Sequence, residues 1–413
     1  MSLLVQAPRP ISLDLSPLEV AARCRHLPGL VFFDSARDAR FAHDFSIVAA
    51  CPTEMLRGDL HGDAGRLQAA LDARQTVEAD DGLPHGFAAG FVEYDGAYCF
   101  GLFDRALMFR HADQSWHELG NFRSQLREPA APPCNLRPGF FPRRAPAEYM
   151  AMVSRAQDYI AAGDIYQVNL AHRFEAEWSG DAFAFYESLR HYSPAPFAAF
   201  LELDGRSVLS SSPESFLKMS GRSIRTRPIK GTRPRRADAH ADEKSAYDLI
   251  TSPKEIAELV MITDLERNDL GRVCEFGTVQ VTELLALERF EQVFHLVSTV
   301  EGRLRPDVGH VEALRECFPG GSITGAPKRR AREIIAELEP EPRGLYTGAI
   351  GWLGFNGGSQ FNIAIRTVVI DGERAHFHVG AGIVADSSPE REWQETLDKA
   401  AGILLAAERL HAD

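Results

Sequence analysis

Cysteine is scarce and scattered. The 413 residues hold six, Cys24, Cys51, Cys99, Cys134, Cys274 and Cys317, with no CxxC pair, which argues against zinc knuckles and a disulfide-stapled secreted scaffold and fits reduced thiols in the cytoplasm. Long apolar runs are missing too. No segment reaches the roughly 20 apolar residues that span a bilayer, and the first residues carry Pro8-Arg9-Pro10 where a signal peptide would have its apolar core. A basic balance is also lacking: 58 acidic residues stand against 45 Lys and Arg, a net charge of −13. A nucleic-acid backbone would be repelled, so any anionic ligand must be drawn by a local cluster. Neither an internal repeat nor a low-complexity segment is present. The reading is a cytoplasmic protein with no membrane and no nucleic-acid partner.

Hydrophobic residues make up 45% of the chain, enough for a large core. Residues 1–125 mix turn signals with short apolar runs at Gly29–Phe33, Phe45–Ala50, Gly86–Tyr94 and Tyr98–Leu102, and read as mainly β with a helix near Leu67–Ala73. Residues 126–145 read as an extended connector, because prolines crowd the stretch from Pro129 to Pro146. Residues 146–413 mix helices and strands. Helices are expected at Ala147–Ala162, Asp181–His191, Ser252–Asn268, His310–Cys317, Lys328–Leu338 and Pro389–Leu410. Strands are expected at Ile165–Phe174, Val279–Leu287, Val293–Leu304, Tyr346–Leu353, Gln360–Ile370 and Ala375–Val379, with a hairpin turning at Asp204-Gly205.

The densest chemistry lies at Arg225–Arg235, where four arginines and Lys230 share eleven positions with two prolines and a glycine. Proline and glycine exclude a solvated helix, so the charge is expected in bends. A surface patch is one reading. The other is an anion site in which Lys230, hemmed in by Arg227, Arg233 and Arg235 and followed by Gly231, is a nucleophile whose ammonium form the neighbours disfavour.

Glu255 and Glu258 share one face of a helix, and Glu392 and Glu395 share a face of another. Oxygen-only ligands of this kind suit a hard cation such as magnesium, although glutamates at this spacing are usually solvated surface. Gly320–Lys328 runs glycine-rich into a helix, with Pro327 suited to the first helical turn, and its amides could hold an anion. It lacks the Gly-Lys-Ser/Thr ending of a nucleotide loop. Gly380-Ala381-Gly382 reads as a turn closing a strand, either bare or with its amides turned to a carboxylate. Arg366 falls within the alternating run Phe361–Val369, where a buried guanidinium needs an anion. His295 sits in an apolar strand, where a core histidine is the common explanation.

Taken in order, Ser212-Pro-Glu214, Pro228–Arg235, Lys254–Glu258 with Asp264–Leu270, His295–Gly302, Gly321–Lys328 and Gly380–Asp386 resemble the motifs of the chorismate-utilising enzymes. The resemblance spans residues 146–413 and is loose before residue 125. Within that family, Pro-Ile-Lys-Gly-Thr at 228–232 resembles the aminodeoxychorismate synthase branch, whereas anthranilate synthase large subunits carry alanine at the lysine. Isochorismate and salicylate synthases place a lysine where this chain has Gln167.

The resemblance implies an α+β fold of two packed antiparallel sheets with surrounding helices, to which both chain halves contribute. It implies that Glu258 and Glu395 bind Mg2+ with Glu255 and Glu392 in support, that Glu214 is the general acid, that Lys230 is the nucleophile, and that His295 lies near the departing hydroxyl. Gly231, Thr232, Thr324, Gly325, Tyr346, Arg366, Gly380, Ala381, Gly382 and Lys399 match positions that contact chorismate. The implied reaction is amination of chorismate at C4. No Gly-x-Cys-x-Gly segment of a glutaminase is present, so the resemblance implies a separate glutamine amidotransferase subunit supplying ammonia, and a separate aminodeoxychorismate lyase acting on the product. Anthranilate synthesis and a silent, anion-binding regulatory subunit are the alternatives.

Overall fold

The computed structural model describes residues 7–35, 45–76, 82–129, 138–289 and 293–410. Two antiparallel sheets, of twelve and ten strands, pack face to face with helices on their outer sides. Strands from both sides of the Pro-rich stretch, whose residues 130–137 lie outside the described residues, share both sheets. In the first sheet Val31–Asp34 pairs with Phe197–Leu203, and in the second Phe87–Val92 pairs with Ala349–Gly354.

The period-2 geometry of strands explains why these seams look almost wholly apolar. Val31 and Phe33 point into the layer between the sheets with Phe87, Ala89, Phe91, Ala199, Leu201 and Ile350. Phe32 and Phe200 point the other way, onto a cluster with the helices Ala182–Tyr192 and Pro389–Glu408. The second sheet's outer face is covered by Ala64–Asp72, His310–Cys317 and the 21-residue helix Pro253–Val273. That long helix begins at Ser252, whose hydroxyl accepts from the Glu255 amide, with Pro253 in the first turn.

Four expectations are corrected here. The basic stretch is not a set of bends but two strands, Ser223–Arg227 and Ile229–Pro234, with a register shift between Lys230 and Thr232 where Gly231 has φ +72°. Gly380-Ala381-Gly382 is not a turn: it lies inside the strand Arg374–Ile383, paired with Gln167–Glu177. The run Gln360–Ile370 is not one strand. Gly358–Ile363 belongs to the second sheet and Thr367–Asp371 to the first, so the chain changes sheets at Ala364–Arg366, and Arg366 takes φ +49° there. Pro327 caps the helix Lys328–Leu338 from outside its first turn. The short helix Pro17–Ala22 and the charged helix Ala239–Ile250 were not foreseen.

Candidate active site

The sheet change at Arg366, the bulge at Gly231 and the N-terminal turns of the helices Pro253–Val273 and Pro389–Glu408 surround a cavity of about 580 Å3, within the usual range for small-ligand sites. Lys230, Gly231, Thr232, Glu214, Glu255, Glu258, His295, Tyr346, Arg366, Gly380, Gly382, Glu395 and Lys399 line it. Thr324, Gly325, Ala381 and Glu392 do not. Thr324 is fully buried and donates its hydroxyl to the Gly320 carbonyl, Gly325 pairs with Val168, and Ala381 packs with Val168 and Leu170. Glu392 is buried and accepts from Ser387 Oγ at 2.7 Å.

The guanidinium cluster expected around Lys230 does not form. Strand alternation and local acids divert it: Arg227 is bound to Glu288 at 2.6 Å and to Thr299, Arg235 to Asp242 at 2.9 Å above the Phe294 ring, and Arg233 reaches Glu255 at 3.8 Å. Lys230 Nζ instead donates to the Ser322 carbonyl at 3.3 Å and lies close enough to Glu214, Glu258 and Glu395 to favour their ionised forms.

Glu214 is buried, and burial raises its carboxyl above the ordinary range, against the opposing pull of a Ser322 hydrogen bond, Lys230 and the Ile229 amide. His295 is held the other way. Burial and the nearby Arg366 push its imidazole down to about 4, so the ring is neutral at physiological pH, with Nδ1 3.0 Å from Thr232 Oγ1. Arg366 is the cation left over. Its guanidinium makes no ion pair or side-chain hydrogen bond among the described residues, and burial without a counter-ion lowers its pKa. An unpaired arginine on a cavity wall asks for an anionic ligand.

Two glycines make room for these groups. A Cβ on Gly382 would stand 2.3 Å from Gln167 Nε2, and one on Gly380 would stand 2.7 Å from both Asn169 Oδ1 and the Leu170 carbonyl and 2.8 Å from the Tyr346 hydroxyl. A backbone carbonyl cannot yield as a side chain can. Gly380→Ala is therefore expected to cost about 1–3 kcal/mol of stability, read by urea denaturation, and to push Tyr346 and Asn169 toward the ligand space. A midpoint equal to the parent's would show that the strand gives way freely.

The carboxylates come from the two helix faces foreseen in the sequence. Glu395 pairs with Lys399 at 2.8 Å, and Lys399 also donates to the Gly380 carbonyl at 2.8 Å. Lys254 stands 3.9 Å from Glu258 and 3.7 Å from Glu392. Burial opposes its charge, yet Glu392, Glu258, Glu395 and Glu255 together hold it above the usual lysine range. Burial raises the Glu258 carboxyl, whereas Glu395 is drawn below its ordinary value because Lys399, Lys254 and Lys230 outweigh its burial. No three His, Cys, Asp or Glu side chains among the described residues form a closed metal site. The donor set still fits a hard cation, being oxygen-only, with Glu258 Oε1 and Glu392 Oε2 buried and lacking hydrogen-bond partners.

The glycine-rich loop commits its Gly321 amide and its Lys328 amine to carboxylates of the protein itself. The Gly321 amide donates to Glu266 at 2.9 Å, and Lys328 is turned inward to Asp269 and the Pro319 carbonyl. Its contribution to the cavity is Ser322 and Ile323, which sequence reasoning missed along with Asn169, His378 and Lys254.

The model of a chorismate binding enzyme matches residues 56–405. The chain belongs to the chorismate binding enzyme family. The family match begins well before residue 146, where the motif resemblance starts, because the strands Glu54–Asp59, Phe87–Val92 and Ala97–Phe103 complete the second sheet without carrying any motif. Aminodeoxychorismate synthase component 1 of Salmonella typhimurium is 44% identical over 312 residues, 74% of this chain and 69% of that protein. Anthranilate synthase component 1 of Streptomyces coelicolor is 48% identical over 267 residues, 64% of this chain and 52% of that protein. The chain thus spans between about half and just over two thirds of the curated relatives' lengths. Among solved structures, anthranilate synthase component I from Streptococcus pneumoniae superposes with a TM-score of 0.77 at 31% identity, covering 89% of this chain and 93% of that one. As in those relatives, the fold of this chorismate binding enzyme is mixed α+β. No helix among the described residues is long and apolar enough to cross a membrane.

Proposed function

We propose that this chorismate binding enzyme aminates chorismate at C4 to give 4-amino-4-deoxychorismate. The observation that carries the reading is that a lysine amine, Lys230, and a buried acid with a raised pKa, Glu214, face one cavity that also holds an unpaired arginine. In the first step the neutral Lys230 amine bonds to ring carbon C2 and both ring double bonds shift by one position toward C4. The C4–oxygen bond breaks, and the Glu214 proton leaves with the hydroxyl as water. In the second, ammonia bonds to C4, both ring double bonds return, the C2–nitrogen bond to Lys230 breaks, and a proton shed by the new C4 ammonium restores the Glu214 acid, so one hard displacement becomes two easier ones. Arg366, Tyr346 and the Gly380–Gly382 strand, which line the cavity, would orient the dianion, and His295, held neutral by burial, would neither repel it nor trap the leaving group's proton. Glu258 and Glu395, supported by Glu255 and Glu392, would hold a magnesium ion, whose charge supplies the grip on the ring carboxylate.

Ammonia would come from a separate glutamine amidotransferase subunit, and a lyase would act on the product. The second reading is anthranilate synthesis, favoured by the 48% identity to a relative of that name. Chorismate, ammonium and Mg2+ with purified enzyme separate the two. The expected product is non-aromatic, with no pyruvate until an aminodeoxychorismate lyase is added; pyruvate and a fluorescent anthranilate without lyase would overturn the proposal.

Glu214 sets an expected pH dependence. Its raised pKa keeps the acid form populated above the ordinary carboxylate range, so kcat should be full below that pKa and fall as pH rises through it. Glu214→Gln should lose about 10²–10⁴ in kcat and lack that alkaline limb; a limb that persists in the variant belongs to another group.

A further inference from the structure

We propose that the side-chain carbonyl of Asn169 binds the incoming ammonia and aims its nitrogen at C4. The inference rests on the proposed amination and names the group that receives its nucleophile. Asn169 lines the cavity at 8% exposure, and its Oδ1 is buried with no hydrogen-bond partner among the described residues. A buried acceptor without a donor is costly, and a ligand that brings an N–H or O–H recovers that cost.

The chemistry of the reactants narrows which ligand this is. Lys230, Arg366, Lys399 and the Tyr346 hydroxyl are donors on the same cavity wall and suit a dianion, whereas Asn169 Oδ1 is a neutral acceptor. As a dianion, chorismate carries a single donor, the C4 hydroxyl, which departs in the first step. Ammonia brings three. A carboxylate in the same place would favour ammonium, whose lone pair is already taken, while a neutral amide oxygen does not. Ammonia bound to Oδ1 gives it one N–H and keeps the lone pair for C4, and no proton passes to Asn169.

Strand geometry sets the oxygen beside the lysine. Asn169 stands opposite Gly382 in the paired strands and shares a face with it and Gly380, while Val168, Leu170, Ala381 and Ile383 pack on the other face. A Cβ on Gly380 would stand 2.7 Å from Asn169 Oδ1, and one on Gly382 would stand 3.9 Å from Lys230 Nζ. The oxygen and the amine thus sit over successive glycines of one strand face, positions about 7 Å apart, which a six-membered ring joined to Lys230 through C2 can span. The backbone that carries the oxygen is fixed at both polar groups. The Asn169 amide donates to the Thr324 carbonyl at 2.9 Å, and its own carbonyl accepts from Arg343 at 2.8 Å.

Asn169→Ala is tested with chorismate, ammonium and Mg2+. The kcat/KM for ammonium should fall about 5-fold to 10-fold, the scale of one neutral hydrogen bond. The KM for chorismate, and the rate at which a Lys230 adduct forms in acid-quenched enzyme without ammonium, should stay within about 2-fold of the parent. Asn169→Leu keeps the branched shape without polar atoms and carries the same expectation, which guards against a loss of packing. A raised chorismate KM or slower adduct formation, with ammonium kinetics unchanged, would assign the oxygen to the C4 hydroxyl and overturn the inference. Equal losses in all three measurements would mark a structural role and overturn it too. If the parent forms no aminated product, the proposed amination falls and the inference with it. If the parent aminates chorismate and both variants keep its ammonium kinetics, only the inference falls.

Discussion

Lys230→Ala is expected to reduce ammonia-dependent turnover of chorismate by about 10³-fold or more, the scale on which enzymes lose rate when a nucleophile is deleted. The loss should sit in kcat. Among the described residues the Lys230 side chain makes one hydrogen bond, to the Ser322 carbonyl, and none to the helices that carry the carboxylates, so its removal leaves the cavity walls standing. Chorismate and magnesium binding, followed by calorimetry, should stay within a few-fold of the parent. Denaturing mass spectrometry of acid-quenched parent enzyme should reveal a covalent adduct on the peptide containing Lys230 and none in the variant. Parent-like turnover in Lys230→Ala would remove the covalent step and leave direct displacement by ammonia as the chemistry.

Glu258→Gln should have the second largest effect. Glu258 carries a buried oxygen with no hydrogen-bond partner among the described residues, a cost that a bound cation would offset. Lys254, at 3.9 Å, is too distant to be that partner alone. The amide keeps the shape and removes the charge, so the magnesium concentration for half-maximal rate should rise at least about 10-fold to 100-fold. Direct Mg2+ titration by calorimetry should show the same shift without turnover. Glu395→Gln should behave alike, with a smaller penalty because Lys399 already neutralises part of that charge. An unchanged half-saturation in both variants would place the cation elsewhere.

The parts of the site that were legible in the sequence are those carried by regular spacing. Glu255 with Glu258 and Glu392 with Glu395 share faces because a helix returns every three to four residues, and the structure brings both helices to one cavity, with Glu392 just behind its wall. Lys230 was legible as the odd residue in a basic run, although its true neighbours are carboxylates and a carbonyl. Arg366 was misplaced because the apolar alternation of Phe361–Val369 runs through the sheet change with no glycine or proline to mark it. A left-handed arginine leaves no sequence signal, and its strain of about 1–3 kcal/mol is held by the pairing of Ala364 with Thr347 and Gly348.

Glycine misled in the other direction. Gly380 and Gly382 suggested a turn, yet they serve a strand whose neighbours Asn169, Gln167 and Tyr346 occupy the space a side chain would need. Gly321 suggested an anion cradle, yet its amide is committed to Glu266. The helix Ala239–Ile250 went unread because only Ala246 and Leu249 on it are buried, too few to impose a visible period.

The two seams between early and late strands bear on how such a chain can be divided. Separating residues before 126 from the remainder would bare the backbone edges of Phe197–Leu203 and Ala349–Gly354 at once, one in each layer. Unsatisfied edges of that length invite pairing with any extended chain nearby. The catalytic portion is therefore not a portable module: an isolated fragment would need its missing strands returned in trans before it could stay monodisperse, and a fusion point is better sought in the turn Asp371–Arg374, where Gly372 faces open solvent.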